Sequence, residues 1–351
     1  MNLGVDGFMR RKAVAAALSL PLLWAVAPSA WSETTVYGML RLYVNWAEQT
    51  YKDPSQKNTA SWDVTDESSR LGFKGSENLG NGQSAVWQYE FGVNAADGPT
   101  VGGTRNRLSY VGLQGGWGQF TIGTQTNPYF LAVGDGVRSA FQALNRGRAF
   151  NLVSSMDEFT NERDNNMLLY RTPSYKGLVG DAAVIMDGPD GASGVDEYQL
   201  ALRYNQGPLA LGAAYRYLDK ESTSCGLSGG SGCDSASTWG ASASYKFDSG
   251  LSLLGQYSTF DEGGQNDWWG TDLYVAYDFA NGHRLAGGPW WAKNKDGIEQ
   301  DYNGWILGWQ YRFSKRSRLF AEYGDNDYDP SQGSPALKHE NDFSIGMRHN
   351  F

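Results

Sequence analysis

The chain has 351 residues, a formal net charge of −9, 19% charged and 14% aromatic side chains, 45 Gly and only 2 Cys. No stretch after the first 30 residues holds 18 uninterrupted apolar residues, which excludes a bundle of membrane-crossing helices, and the acidic balance excludes a phosphate-binding surface and hence a nucleic-acid partner. So many aromatics exclude a disordered chain, and glycines without a three-residue period exclude collagen-like order.

Residues 1–32 read as a secretory signal. Arg10, Arg11 and Lys12 precede an apolar run from Ala13 to Ala27, too short to span a membrane, and Ala30 and Ser32 fit a cleavage site before Glu33. Its removal takes one of 38 acidic and three of 29 basic groups, so the mature chain carries about −11. Export places the chain in an oxidising compartment. There the run from Cys225 to Cys233 suits a disulfide closing a small exposed loop. A metal pair is the alternative, although none of His283, His339 and His349 is near in sequence, and no metal or cofactor is assigned.

From Val36 onward the apolar pattern has period two. Leu40, Leu42, Val44 and Trp46 oppose Met39, Arg41, Tyr43 and Asn45. Alternation continues through Tyr198–Asn205, Leu209–Leu218 and Trp239–Asp248. Leu273, Val275, Tyr277 and Phe279 then oppose Asp272, Tyr274, Ala276 and Asp278. Trp305, Leu307, Trp309, Tyr311 and Phe313 share a face away from Gly308, Gln310 and Arg312. The chain ends with Phe343, Ile345, Met347 and Phe351 opposite Ser344, Gly346, Arg348 and Asn350.

Sixteen strand-like runs start near residues 35, 68, 83, 105, 118, 166, 179, 196, 209, 238, 251, 268, 283, 302, 317 and 341. Short turns such as Lys176-Gly177 and Asn281-Gly282 alternate with longer polar connectors over 48–67, 94–104, 126–165, 219–237 and 325–341. That asymmetry, with aromatics near strand ends on the apolar face, fits a membrane barrel better than a soluble sandwich. The absence of a repeat near 40 residues argues against a propeller. The expected fold is all-β: a 16-stranded antiparallel transmembrane β-barrel over 33–351, with both termini on one side and a water-lined interior.

The connector 126–165 mixes the acids Asp135, Asp157, Glu158, Glu162 and Asp164 with Phe141, Leu144, Phe150, Leu152 and Phe159. A loop folded back into the barrel would bury those apolar groups and present its acids to the lumen; an ordinary self-packed outer loop is the alternative.

An ordered series of motifs runs along the chain: Val36-Tyr37-Gly38, Arg70-Leu71-Gly72-Phe73-Lys74-Gly75, Trp87-Gln88-Tyr89-Glu90-Phe91, Asn106-Arg107-Leu108-Ser109-Tyr110-Val111-Gly112-Leu113 and Phe120-Thr121-Ile122-Gly123. With Tyr170-Arg171 and the terminal Phe351, this series resembles the general-diffusion porins of Gram-negative outer membranes. The resemblance implies a homotrimer in the outer membrane, among lipid and lipopolysaccharide, passing small hydrophilic solutes and ions passively. It also implies an inward-folded third outer loop, and an assembly signal at Phe351 read by the barrel-insertion machinery.

In that family an arginine cluster on the wall faces acids on the inward loop. The resemblance places Arg70, Arg107 and Arg163 in the cluster, and alternation adds Arg41 and Lys74 to the basic wall. Asp135, Asp157, Glu158 and Glu162 are the corresponding loop acids, although they stand outside the family's PEFGG-like context. An outer-membrane enzyme is a rival, but no nucleophile motif lies near a histidine. A sugar- or anion-selective channel is the other. Neutralising Arg70 and Arg107 together is expected to raise cation preference in planar-bilayer recordings; an unchanged reversal potential contradicts their assignment.

Overall fold

The computed structural model describes residues 33–98, 106–143, 147–154, 162–186, 194–219, 235–262, 267–295, 301–329 and 337–351. The signal segment, Asp157, Glu158, Cys225 and Cys233 lie outside the described residues.

The strands are β1 (Glu33–Tyr51), β2 (Thr59–Asp66), β3 (Arg70–Gly80), β4 (Gln83–Gly92), β5 (Asn106–Gly115) and β6 (Gly118–Thr126). Then come β7 (Arg163–Arg171), β8 (Leu178–Ile185), β9 (Glu197–Gln206), β10 (Leu209–Leu218), β11 (Ala236–Lys246) and β12 (Leu251–Phe260). The series ends with β13 (Trp268–Asp278), β14 (His283–Asn294), β15 (Asp301–Arg312), β16 (Ser317–Asp329) and β17 (Leu337–Asn350).

Every pairing is antiparallel; apart from β1–β3 the partners are chain neighbours, and β1 returns to β17 to close the barrel. Gly38 and Phe351 exchange backbone N–H···O bonds, both 3.0 Å, so the last residue completes the seam between the termini. β2 and β3 lie end to end against β1 and together make one stave, giving sixteen.

The break between them is local. Ser68 has φ +64°, Arg41 donates its backbone N–H to Ser69 Oγ (2.9 Å), and Arg41 Nε donates to the Glu67 carbonyl (2.7 Å). An inward guanidinium therefore satisfies a carbonyl that the ladder leaves open.

The period-two reading survives as a separation of faces. Leu40, Val44, Leu273, Val275 and Leu307 are exposed on the outside, whereas Met39, Arg41, Asp272, Tyr274 and Gln310 are buried on the inside. Outward aromatics gather at two levels. Tyr277–Phe279 and Tyr311–Phe313 pack at the short-turn end (centroids 4.6 and 4.9 Å). Trp239–Tyr257 and Trp305–Tyr323 pack toward the other end, both at 5.4 Å, as two interfacial belts require. One short connection is a two-residue turn with Lys176 at φ +50° and Gly177 at +86°, the conformation whose twist matches an antiparallel hairpin.

Two connectors are shorter than expected. Residues 59–66, read as part of a polar connector, form β2, and β16 and β17 extend to Asp329 and back to Leu337. The upper ends of β16 and β17 are mostly polar on both faces, so hydrophobic alternation does not reveal them while the hydrogen-bond ladder continues. β2 keeps only Trp62 and Val64 exposed on its apolar face, too short an alternation to stand out.

The connector between β6 and β7 is not irregular throughout. It contains a π-helical turn over Phe130–Gly134, α1 (Asp135–Arg138) and α2 (Arg148–Ser154). Its apolar side chains pack on inward barrel residues, some of which, such as Tyr274 and Ile306, stand between exposed apolar ones. Ala149 and Val153 join Phe260, Trp268 and Trp290; Val137, Ala140 and Phe141 join Tyr274 and Ile306; Ala143 joins Tyr43 and Phe320. Burying one such aromatic contributes about 2–3 kcal/mol.

Glycines on the wall make room for this segment. A Cβ on Gly212 would stand 1.8 Å from the Ala132 carbonyl oxygen, and one on Gly270 2.8 Å from Val153. Gly212→Val is therefore expected to cost about 1–3 kcal/mol through overpacking against backbone. The urea midpoint of the detergent-folded barrel reads this out, and an unshifted midpoint contradicts the packing described.

Candidate pore constriction

A cavity of about 420 Å³ lies where β1, β3, β4 and β5 face the segment between β6 and β7. Four of the five basic residues expected on the wall, Arg41, Arg70, Arg107 and Arg163, line it. The fifth, Lys74, does not: it shares the inward face but lies four residues further along β3, exposed, with Nζ 5.4 Å from the Tyr37 ring centre. Of the expected loop acids, Asp135 and Glu162 line the cavity.

Glu90 organises the wall and is 4% exposed. Arg107 Nε donates to its Oε1 at 2.6 Å, Arg70 Nε lies 3.5 Å from Oε2, and Tyr37 OH donates to Oε2 at 2.9 Å. One carboxylate thus fixes two like charges side by side, an arrangement they would otherwise resist. Also on the cavity lining, Glu162 pairs with Arg163 and with Arg138 of α1, both at 2.5 Å. Arg138 also stacks over the Phe130 ring at 5.2 Å.

Sequence reasoning had not singled out Glu90, Arg138, Arg318 or Arg348, all of which line the same cavity. Alternation puts Arg348 on the polar face of β17, but the strand register is needed to carry it beside Arg41. Among the described lining residues seven are arginines and three are acids, Glu90, Asp135 and Glu162. The cavity is thus basic in a chain that is acidic overall.

The segment is tied to the barrel through its backbone. Asp272, fully buried on β13, accepts the N–H of Ala149 (3.2 Å) and Phe150 (3.0 Å), and also Gln256 Nε2 (2.8 Å) and Tyr274 OH (2.7 Å). Glu322 of β16 accepts the N–H of Gln142 and of Ala143, the latter at 2.8 Å. Gln310 and Ser242 donate to the carbonyls of Ala140 (2.9 Å) and Ala132 (2.6 Å). A further buried group holds the first turn: Arg216 pairs with Glu197 (2.7 Å) and Asp164 (3.5 Å) and lies over the Tyr129 ring.

Beyond the outer belt, Asp325, Asp327 and His339 bring ligand-type atoms within 4.8 Å of one another. Both ring nitrogens of His339 already meet side chains, Nδ1 at 2.7 Å from Asp327 and Nε2 at 3.1 Å from Asn341. Burial alone would lower the His339 pKa; the hydrogen bond to Asp327 and the charges of Asp325 and Asp327 outweigh it and raise the pKa above its ordinary value. The three groups are thus engaged with one another and with Asn341.

Comparison with known proteins agrees with this geometry. An outer membrane porin protein of Bordetella pertussis is 28% identical over 334 residues, covering 81% of this chain and 82% of that one. The major outer membrane protein P.IB of Neisseria meningitidis is 23% identical over 346 residues, covering 91% and 97%. Among solved structures, the anion-selective porin from Comamonas acidovorans superposes with a TM-score of 0.71 at 20% identity, over 91% of this chain and 100% of that one. An outer membrane protein of Vibrio cholerae, OmpT in a trimer form, gives 0.65 at 18% identity, over 91% and 99%. The family model for Gram-negative porins matches residues 13–331. The chain belongs to the Gram-negative porin family and is an outer-membrane β-barrel through which small hydrophilic solutes diffuse.

Proposed function

We propose that the segment between β6 and β7 is the third outer loop, folded into the bore, and that with the arginine wall it forms a charged constriction. The observation that carries this reading is the capture of four of its backbone N–H groups by Asp272 and Glu322, carboxylates on the barrel face opposite the exposed apolar one. The short turns then face the periplasm and the long connectors the exterior.

Arg41, Arg70, Arg107 and Arg163 stand on the wall, and Asp135 and Glu162 are the described acids of the loop side. Fixed cations and anions across a narrow aqueous gap hold a transverse field that low-dielectric walls screen poorly. Water aligns in that field, so polar solutes cross easily and apolar ones must disrupt it. The disulfide expected between Cys225 and Cys233 falls in the connector between β10 and β11, outside the described residues.

A sugar-selective channel would need aromatics along the lumen. Of the inward aromatics, Tyr43, Tyr274 and Trp290 lie buried beneath the loop, while Tyr37 and Phe130 are engaged by Glu90 and Arg138, which supports unselective passage by size. An enzymatic reading would turn on His349, whose Nδ1 lies 2.8 Å from Ser317 Oγ at the exposed short-turn end. Among the described residues no carboxylate orients that histidine, and a channel remains the reading supported by family and fold.

The assembled form is a homotrimer, as for the Vibrio cholerae neighbour, seated among lipid and lipopolysaccharide. Phe351, whose backbone closes the seam, doubles as the assembly signal. Single-channel recording of the refolded trimer is expected to give conductance that rises linearly with KCl and is not blocked by glucose or maltose. Saturable block by either sugar contradicts unselective passage.

A further inference from the structure

The upper ends of β15, β16, β17 and β1 run past the aromatic belt in register, and their outward side chains form two rows. Trp305, Asp325, Asn341 and Glu48 stand side by side in the first, and Asn303, Asp327, His339 and Thr50 in the second. They alternate with the buried Asn326 and Asp342, so they share the outer face. Strands from both ends of the chain thereby bring one histidine, three carboxylates and an amide to one small area. Side chains directly opposite across a strand pair start about 4.5–5.5 Å apart at Cβ, within reach of a shared ion.

The histidine separates this group from an ordinary acidic rim, because its two ring nitrogens have different neighbours. Nδ1 lies 2.7 Å from Asp327, while Nε2 lies 3.1 Å from Asn341 Oδ1 and 3.8 Å from Asp325 Oδ2. A carboxylate on one ring nitrogen fixes the tautomer and presents the other nitrogen to a metal. With metal–ligand bonds of about 2.1 Å, tetrahedral donors stand about 3.4 Å apart, and the two distances around Nε2 bracket that value. Tyr323, one of the belt aromatics, donates to Asn341 Oδ1 at 3.0 Å and holds the amide in place. Asp325 and His339 are each 26% exposed, so the donors are half-enclosed yet open to solution.

We propose that His339 and Asp325, with Glu48 across the seam, bind a divalent transition-metal ion of the zinc type, and that Asp327 positions the imidazole. An imidazole nitrogen beside carboxylate oxygens suits zinc, copper or nickel, whereas calcium and magnesium take oxygen donors alone. Water completes the shell. His339 and Asp325 belong to the last two strands and Glu48 to the first, so the ion staples one end of the β1–β17 seam. The exchange of hydrogen bonds between Gly38 and Phe351 closes the other end. An ion held by the folded barrel alone stabilises it by mass action.

The test is calorimetric titration of the untagged, detergent-refolded barrel with ZnCl2, repeated with CaCl2. A single zinc ion per chain and a higher urea midpoint in zinc are expected, with no comparable effect of calcium. His339→Asn is expected to abolish this binding, and Asp327→Asn to weaken it about tenfold by loosening the imidazole. Cys225→Ser/Cys233→Ser, which removes both thiols, is expected to bind zinc as the parent does. Circular dichroism shows that each variant has folded, and His339→Gln replaces the asparagine variant if that one has not. A parent barrel that does not bind zinc, or a folded His339 variant that binds it as the parent does, overturns the site. Loss of binding with the thiols overturns it too, and equal binding of calcium and zinc marks an acidic rim only.

Discussion

Two wall carboxylates, Asp272 and Glu322, set the shape of the interior by holding a stretch of backbone that has no ladder of its own. A peptide segment laid against a barrel wall must find partners for its N–H groups or lose about 1–3 kcal/mol for each one left buried and unmade. Asp272 receives four hydrogen bonds, two from the segment's backbone and two from the side chains of Gln256 and Tyr274. A fully buried carboxylate is costly without such donors, and the donors are equally costly without it. The two halves of the arrangement therefore require each other.

What surrounds these anchors follows the same logic. Gly212 and Gly270 leave out the Cβ atoms that would strike the segment, while Phe260, Trp290, Tyr274 and Phe320 supply apolar surface where a water-filled lumen would want polar groups. With the segment in place, Arg138 and Asp135 are carried to the cavity and face Arg70 and Arg107, which Glu90 holds together. Position, more than total charge, decides the electrostatics. The chain is acidic, yet arginines outnumber acids along the lining because many of the acids lie on strand ends and connectors beyond the belts.

Most of the barrel was legible because it has a strict physical code: lipid on one side and water on the other impose period two, and turn chemistry marks the short connections. The sixteen staves start within a few residues of their expected positions except at β2, whose apolar alternation is only Trp62 and Val64 long, and at the upper ends of β16 and β17, where polarity continues on both faces. The site was legible in part. Alternation and motif placed Arg41, Arg70 and Arg107 on the inner wall, but the same alternation also favoured Lys74, which misses the cavity because distance along a strand counts as much as face. Glu90, Arg318 and Arg348 needed the register between strands far apart in sequence, and Asp272 looked like any inward polar residue until α2 was seen against it.

The hold on the segment can be measured without changing a residue. Hydrogen exchange of the refolded barrel, followed at the amides of Gln142, Ala143, Ala149 and Phe150, asks directly whether Glu322 and Asp272 keep them bonded. Exchange as slow as that of ladder amides in β13 is expected. Exchange at the rate of an open loop would contradict the account.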